Sequence, residues 1–290
     1  MPELPEVETT KRGLEKTILG LKITNVWTDL STKDKRQKES IANPKFFTVF
    51  RKEIIGKKVL SIERRAKNIL INLSGGPRHI GASKTILVHL KMTGYLFYGK
   101  DPKIKFAHVV FSLSNKKYLV FSDLRKFGKI TLLDTKTAHN TRHLNNIGPE
   151  PLEKNFTLEK LNEQLNKKPN GKIKTVLINQ SIIAGIGNIY SDEILWRASV
   201  HPERKVSKIN KKELELIFKA IKETLKKGID FGGDSMSDYK NIYGLPGKFQ
   251  MHHEAYRRTG EKCRKIGCRG IIKRIVVNGR SAHFCSVHQK

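Results

Sequence analysis

The chain has 290 residues, enough for two domains with separate cores, and carries 57 Lys and Arg against 27 Asp and Glu, a formal charge of +30. That excess goes beyond what solubility needs and points to a polyanionic partner. No apolar run reaches the ~18 residues of a membrane span, no apolar signal segment follows the charges that begin at Glu3, and three cysteines, all after residue 262, make no disulfide framework. A non-membrane protein of a reducing, cytoplasmic compartment is expected.

The chain opens Met1-Pro2-Glu3-Leu4-Pro5-Glu6-Val7-Glu8-Thr9-Thr10, with two prolines and three acids ahead of any apolar periodicity. By local physics Pro5 starts a helix, Glu6 and Glu8 sit at the positive end of its dipole, and Val7, Leu14 and Ile18 share a face. A chemical reading stands beside that one. Removal of Met1 would leave the secondary amine of Pro2 next to Glu3. A chain-terminal amine has an ordinary pKa near ~7.7–8.0, so roughly a tenth is free base at neutral pH, far more than for a lysine near ~10.4. Attack of such an amine on a sugar carbon gives an iminium, which is covalent catalysis.

Short β-branched and aromatic segments follow at 22–28, 59–64, 69–73, 85–90, 108–113, 118–121 and 130–133, separated by breaks such as Ser74-Gly75-Gly76-Pro77 and Ser114-Asn115-Lys116-Lys117. Their number and spacing predict a sandwich or barrel. Residues 31–45 are charged and patternless, a loop or short helix. Asn146-Ile147-Gly148-Pro149-Glu150-Pro151 reads as a linker, and helical patterns follow it. Thr157 caps a helix carrying Leu158, Leu161 and Leu165; short helices are expected at 173–179 and 190–197. Asn210 and Glu213 start a longer one with the buried stripe Leu214, Ile217, Phe218, Ile221 and Leu225. Glycines then make 230–249 a long loop.

Arg64-Arg65-Ala66-Lys67-Asn68, between two strand candidates, reads on its residues as a solvated sheet edge. Several other motifs carry two readings on their residues alone. Met92 in His89-Leu90-Lys91-Met92-Thr93-Gly94 and Phe127 in Asp123-Leu124-Arg125-Lys126-Phe127-Gly128 are core residues or wedges into a base stack, where an inserted group offsets part of the cost of extruding a nucleotide. Gly185-Ile186-Gly187-Asn188 is a helix–helix turn or a phosphate cradle of backbone N–H groups. Cys263-x4-Cys268-x16-Cys285-x2-His288 is a set of free buried cysteines or a tetrahedral zinc site, with His283 as a rival fourth ligand.

The opening PELPEVETT, followed by Lys11-Arg12-Gly13-Leu14, resembles the start of the formamidopyrimidine-DNA glycosylases, and the later motifs are similar to theirs in turn. The resemblance implies an α+β fold: an N-terminal β-sandwich with flanking helices, then a helix–two-turns–helix domain with a zinc-binding β-hairpin. Its domains would be 2–134 (catalytic sandwich), 135–150 (linker), 151–249 (helical, with a lesion loop) and 250–290 (zinc hairpin), with DNA in a basic cleft. It implies that Pro2 attacks the sugar, Glu3 serves as acid/base, Glu6 orients the site among the DNA-contacting residues and Lys67 contacts the phosphate beside the lesion. The family stretches H-L-G-M-S-G and D-P-R-R-F-G place the wedge on Met92, Arg125 and Phe127, with Lys91, Leu124 and Lys126 as departures. Lys174 corresponds to a lysine near the damaged nucleotide, Asn188 to a phosphate-binding asparagine, and Arg280, at the tip Asn278-Gly279-Arg280, to the arginine that grips phosphates. One structural zinc falls to Cys263, Cys268, Cys285 and His288, the last where a cysteine is usual. The implied activity is a monomeric, bifunctional glycosylase/AP lyase of base excision repair on duplex DNA. Leu4 favours oxidised purines (8-oxoguanine, formamidopyrimidines). A pyrimidine-directed enzyme of the endonuclease-eight-like branch and a non-catalytic binder of damaged DNA are the alternatives.

Overall fold

The computed structural model describes residues 1–32, 38–75, 81–236 and 238–290. Part of 31–45 and the break expected at 76–77 lie outside them. Helix α1 (Leu4–Thr17) begins where Pro5 predicts, in the first turn. Val7, Leu14 and Ile18 are at most 1% exposed, so the anticipated face is the buried one.

Among the described residues eight strands follow: β1 (Ile23–Thr28), β2 (Val59–Arg65), β3 (Asn68–Ser74), β4 (Ala82–His89), β5 (Gly94–Gly99), β6 (Ala107–Leu113), β7 (Tyr118–Asp123) and β8 (Lys129–Asp134). They form two antiparallel sheets, ordered β1-β6-β7-β5 and β2-β3-β4-β8. One core joins them: Ile71 and Ile86 from one sheet meet Phe111 and Leu119 from the other, with Leu14 of α1 added. This is the expected sandwich, closed by burial of one apolar face from each sheet. Two of its elements go beyond the sequence reading. β5 is one. The other is α2 (Pro44–Ile54), whose Phe46-Phe47-Thr48-Val49-Phe50 composition favours a strand. A cap decides otherwise: the Asn43 side chain accepts the Phe46 N–H at 3.1 Å, and Pro44 sits where its missing N–H costs nothing.

The chain divides into one compact unit of Met1–Asn145 with Gly232–Gly247 and another of Asn146–Phe231 with Lys248–Lys290. This corrects the expected linker at 135–150. Residues Thr135–Asn140 form a 3-10 helix tied to β4, with the Thr135 and Thr85 hydroxyls 2.9 Å apart. The Gly-Pro stretch after it is docked rather than free. Gly148 N–H donates to Gln180 O at 2.8 Å, Ala184 N–H to Pro149 O at 3.0 Å, and a Cβ on Gly148 would stand 2.6 Å from the Ile182 backbone. The assignment of the 230–249 loop to the helical domain also needs correction, since 232–247 belong to the first unit. Ile242 is 1% exposed in the sandwich core, and its carbonyl accepts the Tyr98 N–H at 2.7 Å.

The second unit holds α3 (Leu158–Asn166), α4 (Ile173–Leu177), α5 (Asn188–Ala198) and α6 (Lys211–Asp230), then the hairpin of β9 (Ile272–Val277) and β10 (Arg280–Cys285). The Thr157 cap and the reciprocal Asn210–Glu213 box form as read. Ile217, Ile221 and Leu225 of the α6 stripe are fully buried. Among the described residues no helix is long and apolar enough to cross a membrane.

Candidate functional site

The start of the chain is held by Glu6. Its Oε2 accepts the Glu3 N–H at 2.7 Å, and its Oε1 accepts the Asp234 N–H, also at 2.7 Å. Its carbonyl accepts the Thr10 hydroxyl at 2.9 Å and the Tyr239 phenol at 3.0 Å. Glu6 is 1% exposed, so it is an interior clamp between the terminus and the 232–247 segment rather than a surface contact. Gly233 (φ +88°) allows that approach, for a Cβ there would lie 2.9 Å from Glu6 Cγ. Burial raises the Tyr239 phenol above its ordinary range and keeps it a neutral donor. Pro2 and Glu3 are both buried in front of α1, with Met1 exposed ahead of them.

Lys67 lies in the two-residue turn between β2 and β3, beside Ala66 at φ +52°, and is 5% exposed. A pairing that the sequence reading did not anticipate fixes this turn. Arg64 Nε donates to Glu8 Oε2 at 2.9 Å while its Nη1 donates to Ala66 O at 3.2 Å, joining the hairpin to α1. Burial opposes the charge on Glu8, but the guanidiniums of Arg64 and Arg12 outweigh it and hold the carboxyl below the usual range. Burial, with the ammoniums of Lys91 and Lys67 nearby, pushes His89 down to about 3, so its ring is neutral and accepts the Lys91 N–H at 3.0 Å.

Met92 (40% exposed) stands on the β4–β5 turn, and Arg125 and Phe127 (54% exposed) on the β7–β8 turn. The Arg125 guanidinium covers the Phe127 ring at 4.5 Å. Asp123, fully buried, laces the two turns together: its carboxylate accepts the Thr93 hydroxyl, the Arg125 N–H at 3.2 Å and the Gly128 N–H at 2.6 Å. Gly128 is required there, since a Cβ would stand 2.2 Å from Phe121 Cζ. Large apolar groups held out to solvent on braced turns are not core residues.

In the second unit Asn188 is the first residue of α5, after Gly185 at φ +83°. Gln180 holds the approach, its side chain bonding Ile178 O, Ile186 O and Gly185 N–H within 2.9 Å. Asn188 Oδ1 is buried without a hydrogen-bond partner among the described residues. Lys174, expected beside the damaged nucleotide, lies in the interior of the second unit. It is 1% exposed and its ammonium pairs with Asp192, also 1% exposed, and reaches Asn188 O at 3.5 Å. A buried ammonium needs a carboxylate, and α5 supplies one a turn beyond Asn188. The other oxygen of Asp192 accepts the His283 backbone N–H and lies 2.9 Å from His283 Nδ1. Lys174 therefore braces the α5 N-terminus. Arg280 is exposed next to the Asn278–Gly279 turn, where both residues have positive φ, as a two-residue hairpin requires.

Cys263, Cys268, Cys285 and His288 bring their ligand atoms within 4.8 Å of one another. Cys268 and Cys285 Sγ are 3.5 Å apart, and His288 Nδ1 lies 3.5 and 3.6 Å from Cys263 and Cys268 Sγ. A tetrahedral ion with ordinary metal–sulfur and metal–nitrogen bonds gives edges of roughly 3.8 and 3.6 Å, so the four residues fit one metal ion. His288 Nε2 lies 3.1 Å from Trp196 O, the partner that fixes a ligating ring. Burial lowers the His288 pKa and favours the neutral, ligating form. His283 is excluded from the cluster by its bonds to Asp192.

A two-layer sandwich followed by a helix–two-turns–helix segment and a Cys3His hairpin is the architecture of one class of DNA glycosylases. Three domain-family models match in chain order: the formamidopyrimidine-DNA glycosylase N-terminal domain over 1–130, its H2TH domain over 147–240, and the zinc finger found in FPG and IleRS over 260–286. The chain belongs to the formamidopyrimidine-DNA glycosylase family. It is 39% identical over 292 residues to that enzyme of Pelotomaculum thermopropionicum, covering all of this chain and 99% of the relative, and 39% over 298 residues to that of Herpetosiphon aurantiacus, with both fully covered. Among solved structures, Lactococcus lactis Fpg in complex with abasic-site DNA is 34% identical with a TM-score of 0.86, covering 99% of each chain. MutM in complex with DNA containing carbocyclic 8-oxo-G is 34% identical with a TM-score of 0.84, covering 100% of each.

Proposed function

We propose that this chain is a bifunctional DNA glycosylase/AP lyase that removes oxidised purines from duplex DNA and nicks the strand, acting as a monomer in the cytoplasm at the nucleoid. The observation that carries the reading is the buried Pro2-Glu3 pair in front of α1, with Glu6 bonded both to Glu3 and to the 232–247 segment. Loss of Met1 makes Pro2 a secondary amine. The positive end of the α1 dipole disfavours an ammonium there and so favours the free base. Its nitrogen lone pair bonds to the sugar carbon bearing the damaged base, the carbon–base bond breaks, and the base leaves with the bonding pair. The nitrogen's proton passes to the departing base, the sugar ring's C–O bond then breaks as its oxygen takes a proton from Glu3, and the iminium so formed acidifies the neighbouring sugar C–H. Glu3 serves as the acid/base at the sugar, and elimination of the 3′ and then the 5′ phosphate cuts the strand without a redox step.

The remaining residues bind and position. Lys67, Asn188 and Arg280 hold phosphates around the extruded nucleotide, and Met92, Arg125 and Phe127 fill the stack it leaves. One structural zinc occupies the Cys3His cluster and supplies folding energy to a hairpin that has little core of its own. A duplex panel tests the assignment. Release of 8-oxoguanine and formamidopyrimidines with β,δ-elimination products is expected. Faster release of oxidised pyrimidines would place the chain in the other branch, and binding without release would make it a non-catalytic binder.

A further inference from the structure

A pocket of about 400 Å³ opens beside the wedge turns, lined by Ser40, Lys91, Lys126, Phe127, Gly128 and Lys129. Among the described residues half of its lining is lysine and none is acidic. Among the described residues, none of the three ammoniums takes part in a hydrogen bond or ion pair. The acid facing Lys129 is Glu39, and it is already engaged: Arg142 donates to it at 2.9 Å and His143 Nε2 lies 3.5 Å away. Burial, with Arg142 and Lys91 nearby, lowers the Lys129 pKa against the pull of Glu39.

The backbone repeats the pattern. Lys91 at φ +56° and Lys126 at φ +55° both occupy the left-handed region, at a cost of roughly 1–2 kcal/mol for a residue with a Cβ. Each stands one residue from a wedge side chain, Met92 and Phe127 respectively. Two strained turns thus carry lysines into one pocket, with Phe127 on its wall. A space of this size admits a nucleotide unit. Lysines act as point charges, which suits backbone phosphate and carries no base preference.

We propose that this pocket is a phosphodiester site, in which Lys91, Lys126 and Lys129 seat the DNA backbone next to the point where Met92 and Phe127 enter the stack. The inference rests on the DNA-repair reading above and extends it to three residues that the reading leaves unassigned. Seating the backbone there sets the depth to which the wedge reaches, whatever the sequence.

The test is a salt titration of binding to an undamaged duplex by the wild type, by Lys91→Met/Lys126→Met/Lys129→Met and by the corresponding triple Arg variant. Each phosphate neutralised contributes about 0.9 to the slope of log K against log salt. With two phosphates seated, the Met variant should lose about two units of slope and roughly 100-fold in affinity at about 0.1 M salt. The Arg variant should keep both. An unchanged slope in a Met variant with the wild-type melting temperature overturns the proposal. Lysine acylation of the wild type, read by mass spectrometry, covers a Met variant that does not fold. Saturating duplex should slow modification of all three lysines several-fold, and unaltered rates overturn the proposal. Protection by a nucleoside triphosphate but not by duplex would assign the pocket to a free nucleotide and overturn it equally. The glycosylase/lyase reading is judged separately, by whether the wild type forms a reducible adduct with abasic DNA.

Discussion

Lys174→Met separates two roles for a lysine that the family motif places at the lesion and the structure places in the interior. The buried Lys174–Asp192 pair is at most 1% exposed on either side, so removing the ammonium strands a carboxylate away from water. Breaking such a pair costs about 3–5 kcal/mol. Asp192 keeps its two contacts with His283, which puts the expected loss near the lower end, about 3 kcal/mol. Lys174→Met/Asp192→Asn should cost less than the sum of the single changes, because each single variant strands the other partner. The loosened α5 start misplaces Asn188, so duplex affinity falls. Asn188 is neutral and releases no counterion, so the salt slope should stay at the wild-type value. A direct phosphate contact by Lys174 would instead flatten it by about one unit. Urea unfolding of the four proteins, together with a salt titration of duplex binding, reads both quantities. A slope reduced by about one with unfolding free energy unaltered would refute the bracing role.

Three further outcomes follow from the other parts of the site. Phe127→Ala and Met92→Ala should weaken capture of lesion duplexes more than capture of an already extruded abasic site, compared by equilibrium binding; equal losses would return both side chains to packing roles. His288→Ala should lose stoichiometric metal by elemental analysis and loosen the Arg280 hairpin, whereas His288→Cys should keep both and His283→Ala should keep the metal. His89 is held neutral down to about 3 against about 6.5 unfolded, so its contribution to stability is present above about pH 6.5 and lost as pH falls toward 3. His89→Gln should flatten the acid limb of the stability curve by up to about 1.4 kcal/mol per pH unit, and an unchanged limb would place that titration elsewhere.

What the sequence made legible follows from the range over which each feature is decided. The strand segments and the α6 stripe are periodic over a few residues, and Asn210 with Glu213 is a cap within one turn, so their types could be read locally. β5 escaped because Gly94 and Gly99 bracket it and its start merges with the Met92 turn. α2 escaped because an aromatic, β-branched composition contradicts the cap at Asn43 that decides it. The Gly-Pro stretch at 146–151 looks like a linker until its hydrogen bonds to the turn at 180–184 are known. Site residues divide in the same way. The terminus, the cysteines and the wedge pairs lie within short motifs. Asp123 signals nothing in sequence, since its role is to accept N–H groups and a hydroxyl from two turns. The Lys174–Asp192–His283 set joins two helices to β10 across more than a hundred residues, and only the fold assembles it.

The central claim is that the terminal amine of Pro2 is the nucleophile, and borohydride trapping on abasic DNA tests it most directly. Protein verified by intact mass to begin at Pro2 should form a covalent adduct, mapped by peptide mass to Pro2. The same chain with Met1 retained should form none, and Pro2→Gly, which still offers a primary terminal amine, should keep part of the yield. Full adduct formation by protein that keeps Met1, or an adduct mapped to a lysine, would contradict the account.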